Sequence, residues 1–497
     1  MLTRSRFTAH GSRFATRGRL AAHGPRVGSV AQLTGVLCAA LLAASCTMGP
    51  NYKRPAVPVP ATHRGDAAAA QGGAASLADL KWPELFRDAT LTELVTTALD
   101  QNFDVRMAAE RVLQARALFR ITRSDQFPSV DGSAEVATTR LSERGATRGI
   151  PAGTDTDVSY TQIGFSLGWE LDVWGRLRRL TESARAQYLA TEEARRGVVT
   201  TLVADVTQTY LALRALDLEL EIAARTRDVA REHLRLTEAR RDRGLASALD
   251  VRQAEQLLYT ATRQLAGLER DIAQTENALS LLLGRAPDAV PRGTPLEALQ
   301  SPPGVPAGLP SDLLERRPDI RQAEQALVAA NAQIGAAKAE YFPRISLTGF
   351  FGTQSRALSD LLSGPARTWT AGVGAAAPLF NAGRTRANVE YTEAATREAA
   401  LRYQQVVYTA LREVADALAA YRRTGEQRAE QQHLVDALRE SVRLSTQRYQ
   451  GGLDSYLPVL DAQRNLFQGE LDLARLRGEE LAAIVQLYRA LGGGWQA

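Results

Sequence analysis

The sequence predicts a mixed α+β membrane protein: an internally duplicated chain that gives four β-strands to a membrane barrel and long coiled-coil α-helices to a helical barrel beneath it. Three observations carry this prediction. The chain repeats itself, its strands come in pairs with strict alternation, and its helices run unusually far without a breaker.

The repeat is read from short matches. Asp104-Val105-Arg106 returns as Asp319-Ile320-Arg321, and Phe127-Pro128 returns as Phe342-Pro343, both 215 residues on. Gly175-Arg176, Gly244-Leu245 and Leu283-Gly284 return as Gly383-Arg384, Gly452-Leu453 and Leu491-Gly492, each 208 residues on. One unit of helix, two strands and two helices is therefore duplicated. Such a unit rarely buries its own apolar face, so repetition points to a wall closed by copies of itself. The expected organisation is a leader over 1–45, an N-terminal lipid-anchored tether over 46–88, and two repeats over 89–300 and 301–497. The first repeat holds a helix, a hairpin at about 129–174, a long helix at 175–243 and a helix at 247–284. The second holds a helix at 311–341, a hairpin at about 344–380, a long helix at 383–450 and a helix at 455–491.

The leader accounts for the nominal net charge of +5. Arg4, Arg6, Arg13, Arg17, Arg19 and Arg26 precede a short apolar run from Leu33 to Ser45, the pattern of a secretory signal. Without these arginines the chain carries −1, which removes any charge-based case for nucleic-acid binding. The apolar run is well short of the ~20 residues of a membrane-crossing helix. Cys38 lies inside the leader and Cys46 follows Ala43-Ala44-Ser45, with no cysteine beyond, so disulfides and thiolate metal sites are excluded. Cys46 resembles the acylated residue of a bacterial lipoprotein signal, and the Thr47 that follows it implies sorting to the outer membrane. The alternative is an ordinary leader in which Cys46 is incidental. From Pro55 to Ala75 the Pro-, Ala- and Gly-rich composition reads as an extended tether.

Helical patterning runs from near Leu91 to about Gln126 and from about Ser311 to Tyr341, ended by Pro128 and Pro343. The period then becomes two. Ile163, Phe165, Leu167, Trp169 and Leu171 share one face, while Gln162, Gly164, Ser166, Gly168, Glu170 and Asp172 share the other. Trp369, Ala371, Val373, Ala375 and Leu379 repeat the pattern in the second copy. A soluble sandwich can alternate in this way, but here the strands come as two hairpins between very long helices, with Trp169, Trp174 and Trp369 towards strand ends. An apolar band with aromatic rims is what a membrane barrel needs. Four strands cannot close a barrel, so several chains must contribute.

Between Gly175 and Arg243 no proline occurs, which allows roughly 100 Å of helix, and Gly383 to Gln450 repeats this. After each turn comes a shorter helix with a heptad seam. Val251, Leu258, Leu265, Ile272 and Leu279 form one edge, with Ala254, Ala261, Leu268 and Leu282 beside them. Val459, Leu466, Leu473 and Leu487 continue it in the second copy, interrupted by Glu480.

These residues together resemble the outer membrane factor family, the TolC-like channels, and within it the lipoprotein branch that serves drug-efflux pumps. The resemblance covers nearly the whole chain after the leader. It rests on Cys46 to Pro55, on Leu314 to Ile320 continuing to Phe342-Pro343, and on the strand-to-helix corners Trp169 to Arg176 and Pro378 to Arg384. It implies a homotrimer with a 12-stranded outer membrane β-barrel on a periplasmic α-helical barrel, without cofactor or catalysis. It also implies a periplasmic adaptor (a membrane fusion protein) and an inner-membrane RND-type transporter as partners. The function implied is the exit duct of a tripartite efflux pump for drugs or other toxic small molecules. The alternative is a TolC-like export duct for a type I protein secretion system.

The resemblance marks two sites. The turns Gly244-Leu245-Ala246-Ser247 and Gly452-Leu453-Asp454-Ser455 are expected to meet the adaptor. Glycine and serine there also serve as ordinary helix stop and cap, but a leucine at an exposed tip has no such role. Leu457 and Asp461 lie four apart on one helix face, where the family closes its mouth with an apolar and an acidic ring. The competing reading of Asp461 is a solvated acid complementing the helix dipole. Pro458 leaves this mouth one acidic ring rather than two. His63, His233 and His433 are scattered, with no nucleophile or metal-ligand set around them.

Overall fold

The computed structural model describes residues 47–64, 76–142, 156–299 and 307–494. The leader, Cys46, the stretch 65–75 and most of the first strand-to-strand loop lie outside the described residues.

Short helix α1 (Trp82–Phe86) leads into α2 (Ala89–Gln101) and α3 (Phe103–Ser124). The single helix expected near Leu91 to Gln126 is therefore two. Asn102 breaks it, because its side-chain oxygen accepts from the Asp104 and Val105 amides and caps a new helix. Strands β1 (Ser129–Arg140) and β2 (Asp157–Leu171) follow, then α4 (Arg176–Asp242) and α5 (Ala248–Leu282). The second copy consists of α6 (Leu313–Arg316), α7 (Pro318–Ala339), β3 (Arg344–Ser355), β4 (Arg367–Ala376), α8 (Arg384–Gln450) and α9 (Leu457–Ala490). Here too the helix expected over 311–341 is interrupted, at Arg317, and restarts with Pro318 in its first turn, where the missing amide costs nothing. Leu379 falls outside β4.

The two hairpins are not isolated from each other. β2 pairs antiparallel with β3, so all four strands form one sheet in the order β1-β2-β3-β4. β1 and β4 are its free edges.

The 67 residues of α4 give a rod of roughly 100 Å. It packs along α3, α5, α7 and α9, and α8 packs along α7 and α9. Three apolar layers descend along α4. The largest gathers Val206, Tyr210 and Leu213 with Val407, Val414, Ile484 and Leu487. The next sets Ile222 and Ala223 against Leu265, Leu268, Phe467 and Leu471. The last, nearest the turns, sets Ala230 against Ala254, Leu257, Tyr456, Val459 and Leu460. The expected seam residues Val251, Ala254, Ala261, Leu265, Leu268 and Leu279 are buried, as are Val459, Leu473 and Leu487. Burial on α9 is wider than a two-in-seven seam, because α8 covers one flank and α4 another. Glu480 is accommodated by an ion pair to Arg428 at 2.6 Å.

The tether expected over 46–88 is described in part, and its stretch 48–59 is fastened to the helices as a strap. Tyr52, Val57 and Val59 pack on the largest apolar layer. Arg179, buried on α4, donates to the carbonyls of Met48 (3.0 Å) and Gly49 (3.3 Å) and to the Asn51 side chain (2.8 Å). Tyr52 and Arg54 both reach Glu324 on α7, and Arg54 also reaches Glu315. Composition announces an extended segment, but it cannot announce a seat some 270 residues away in sequence.

Candidate functional site

The sheet has two unlike faces. Gly132, Phe165, Phe351 and Trp369 stand in one cross-strand row, and Trp169, Leu347 and Val373 in another on the same face. Ile163, Phe165 and Leu167 are exposed there, together with Val130, Phe351, Trp369 and Val373. Trp169 and Leu171 share this face but are half-buried, and the Trp169 indole N–H donates to the Gln126 carbonyl at 3.0 Å. A contiguous apolar face of this extent is stable against lipid, not water. The opposite face carries Asp131, Ser166 and Thr370 in one row, and Glu135, Gln162 and Gln354 in another. Phe350 is the apolar exception in it. Its ring lies over Gly164 and Gly352, where added Cβ atoms would come within 2.6 and 2.9 Å of Cζ. An aromatic ring covering a bare glycine pair is a known way of firming a sheet.

At the far end of the rods are the two turn tips. Gly244 and Gly452 hold φ of 73° and 75°, the left-handed conformation that ends a helix cheaply only at glycine. Leu245 is 67 % exposed and Leu453 70 % exposed. Ser247 caps α5 in a reciprocal box, accepting from the Asp250 amide while its own amide donates to the Asp250 carboxylate. Ser455 does not repeat this role. Helix α9 starts at Leu457 behind Tyr456, with no side-chain cap, because Pro458 occupies its second position and the tip is closed by other means.

Those means are residues that the motif reading passed over. Arg448 pairs with Asp454 at 2.5 Å, and its guanidinium holds the Asp454 carboxyl below the usual range. Tyr449 meets Tyr456 edge to face at 5.3 Å, and the Arg240 guanidinium of the other hairpin stands 4.7 Å from the Tyr449 ring centre. Burial pushes the Tyr456 hydroxyl up to about 12. The repeat itself held the signal. Tyr449 and Tyr456 replace Arg241 and Ala248 of the first copy, so the second tip gains two rings on either side of the shared Gly-Leu pair.

Leu457 and Asp461 are both exposed, on the face of α9 turned away from the layer that Val459 and Leu460 form with α4 and α5. No hydrogen-bond or ion-pair partner for Asp461 exists among the described residues. The structure therefore leaves one apolar and one acidic side chain per protomer free on the same face. Cys46, the expected lipidation site, lies outside the described residues. Among the described residues no His, Cys, Asp or Glu side chains gather as metal ligands. No described helix is long and apolar enough to cross a membrane.

The family described as Outer membrane efflux protein matches residues 94–285 and 309–493, the two copies of the repeat. The solvent efflux pump outer membrane protein SrpC of Pseudomonas putida is 43 % identical over 461 residues, covering 92 % of this chain and 97 % of its own. Outer membrane protein OprJ of Pseudomonas aeruginosa is 40 % identical over 466 residues, covering 92 % and 95 %. The crystal structure of the open state of the Neisseria gonorrhoeae MtrE outer membrane channel superposes with a TM-score of 0.82 at 30 % identity, covering 90 % of this chain and 99 % of that one. The family model covers both copies and these relatives match across at least 90 % of each chain, so this chain belongs to the outer membrane efflux protein family and is an outer membrane channel for efflux.

Proposed function

We propose that three copies of this chain close one twelve-stranded barrel and form the exit duct of a tripartite pump, passively passing drugs or other toxic small molecules outward. One observation carries the reading: a four-stranded sheet with an exposed apolar face and two unpaired edges, which one chain cannot close. The relative SrpC is named for solvent efflux, which supports small apolar cargo.

In this reading the tips around Gly244, Leu245, Ser247, Gly452, Leu453 and Ser455 receive a periplasmic adaptor, and an inner-membrane RND-type transporter supplies the energy. Acylated Cys46 anchors each chain to outer membrane lipid. Leu457 and Asp461 narrow the inner mouth. Three Asp461 carboxylates converging on one axis repel each other and draw cations to the mouth. The test is single-channel recording in planar bilayers of the native protein and Asp461→Asn. The native protein is expected to give discrete, low-conductance steps blocked by divalent cations, and the variant a several-fold higher resting conductance without that block. Unchanged conductance and block would reject Asp461 as the mouth's acidic ring; no steps at all would reject the duct.

A further inference from the structure

Inside one chain, the corner that leaves β2 is clasped by the start of β3. The Trp174 ring stacks on Phe342 with centroids 4.7 Å apart, and its indole N–H donates to the Pro343 carbonyl at 2.8 Å. The two strands are antiparallel neighbours, so the end of one and the start of the other meet at the same rim of the sheet.

The duplication supplies a second pair of the same kind. The corner leaving β4, Leu379 to Gly383, is the repeat of the corner that holds Trp174, and Phe127-Pro128 is the repeat of Phe342-Pro343. These two segments flank opposite edges of the sheet, so they cannot meet within one chain. Both are left open. Leu379 is 98 % exposed and Phe380 90 % exposed, and Phe127 is exposed as well. Beside Phe127 lies a cleft of about 670 Å³, lined by Pro128, Val130 and Trp169 among others.

We propose that the Leu379-Phe380 corner of one protomer seats in the Phe127-Pro128 cleft of the next, as an aromatic clasp between chains at the rim of the barrel. The inference rests on the three-chain barrel. When β4 of one chain pairs with β1 of its neighbour, antiparallel pairing carries this corner to that cleft, as β2 carries Trp174 to Phe342. The second corner departs from the first in a way that fits. Ala382 stands where the repeat has Trp174, so it brings no ring, and Phe380 is the aromatic of that corner. Ala382 and Gly383 both hold left-handed φ, 51° and 86°, where the first corner has only Gly175 at 77°. The additional left-handed residue reshapes the corner around Phe380.

The experiment is disulfide trapping in the full chain, whose own cysteines all lie at or before Cys46. Phe127→Cys and Phe380→Cys are combined, with Pro128→Cys and Leu379→Cys as a second pair, and membranes are oxidised with copper phenanthroline. The mass of the detergent-solubilised complex is measured alongside. A ladder reaching three linked chains, from either pair and absent from the single variants, is the expected result. A three-chain mass without a ladder from either pair overturns the clasp and leaves the trimer standing. Labelling of the Phe380→Cys thiol by a reagent confined to the acyl-chain region overturns it in favour of a lipid contact. A mass other than three chains overturns both.

Discussion

Gly335 and Gly49 approach so closely that a Cβ on Gly49 would lie 2.5 Å from the Gly335 Cα. Glycine inside a helix costs about 1 kcal/mol against alanine, so this one is kept for the seat it makes. The position 215 residues earlier is Arg120, which explains why the strap has one seat and not two. A side chain at Gly335 would collide with the Met48 carbonyl and with the Arg179 side chain that holds it. Gly335→Ala is expected to free the strap and take from Arg179 its Met48, Gly49 and Asn51 acceptors, leaving only the Glu182 pair at 2.8 Å, a loss on the order of 2 kcal/mol. The readout is trypsin cleavage after Lys53, slow in the native protein and at least several-fold faster in the variant. Equal rates would show that the strap does not need this glycine. At this scale the sequence was only partly legible. Exposed Leu245 and Leu453 were readable as tips, because glycine and a polar cap flank them. The Arg179 clamp was not, because its partners are more than a hundred residues away.

Helices and strands were more legible than their joints. Period two over Gln162 to Leu171 marked β2, and the proline-free run after Gly175 marked α4, because each pattern repeats the geometry of its element many times. The break at Asn102 rests on one side chain competing for two amides, which periodicity cannot register. The same holds for the second tip, where a Tyr449–Tyr456 contact and the Arg448–Asp454 pair stand in for the serine cap of the first. The tips are thus stiffened differently while presenting the same exposed leucine. Leu245→Glu with Leu453→Glu is expected to abolish capture of the periplasmic adaptor, by at least tenfold in apparent affinity, without altering the assembly of the channel. Undiminished capture would place the docking surface elsewhere.

For the whole molecule, the duplication was the most informative signal, since it implied a wall made of copies before any element was placed. It did not tell which strands pair. The β2–β3 ladder joins segments nearly two hundred residues apart and turns two hairpins into one sheet, a non-local outcome that the alternation of either hairpin does not contain. The apolar face of that sheet and its two bare edges are the strongest structural support for assembly, because both are costly in an isolated chain. The most direct test is the mass of the detergent-solubilised complex, measured with bound detergent subtracted. Three chains in a single particle that resists heating in mild detergent are expected. A single chain, stable and soluble without detergent, would contradict the three-chain barrel.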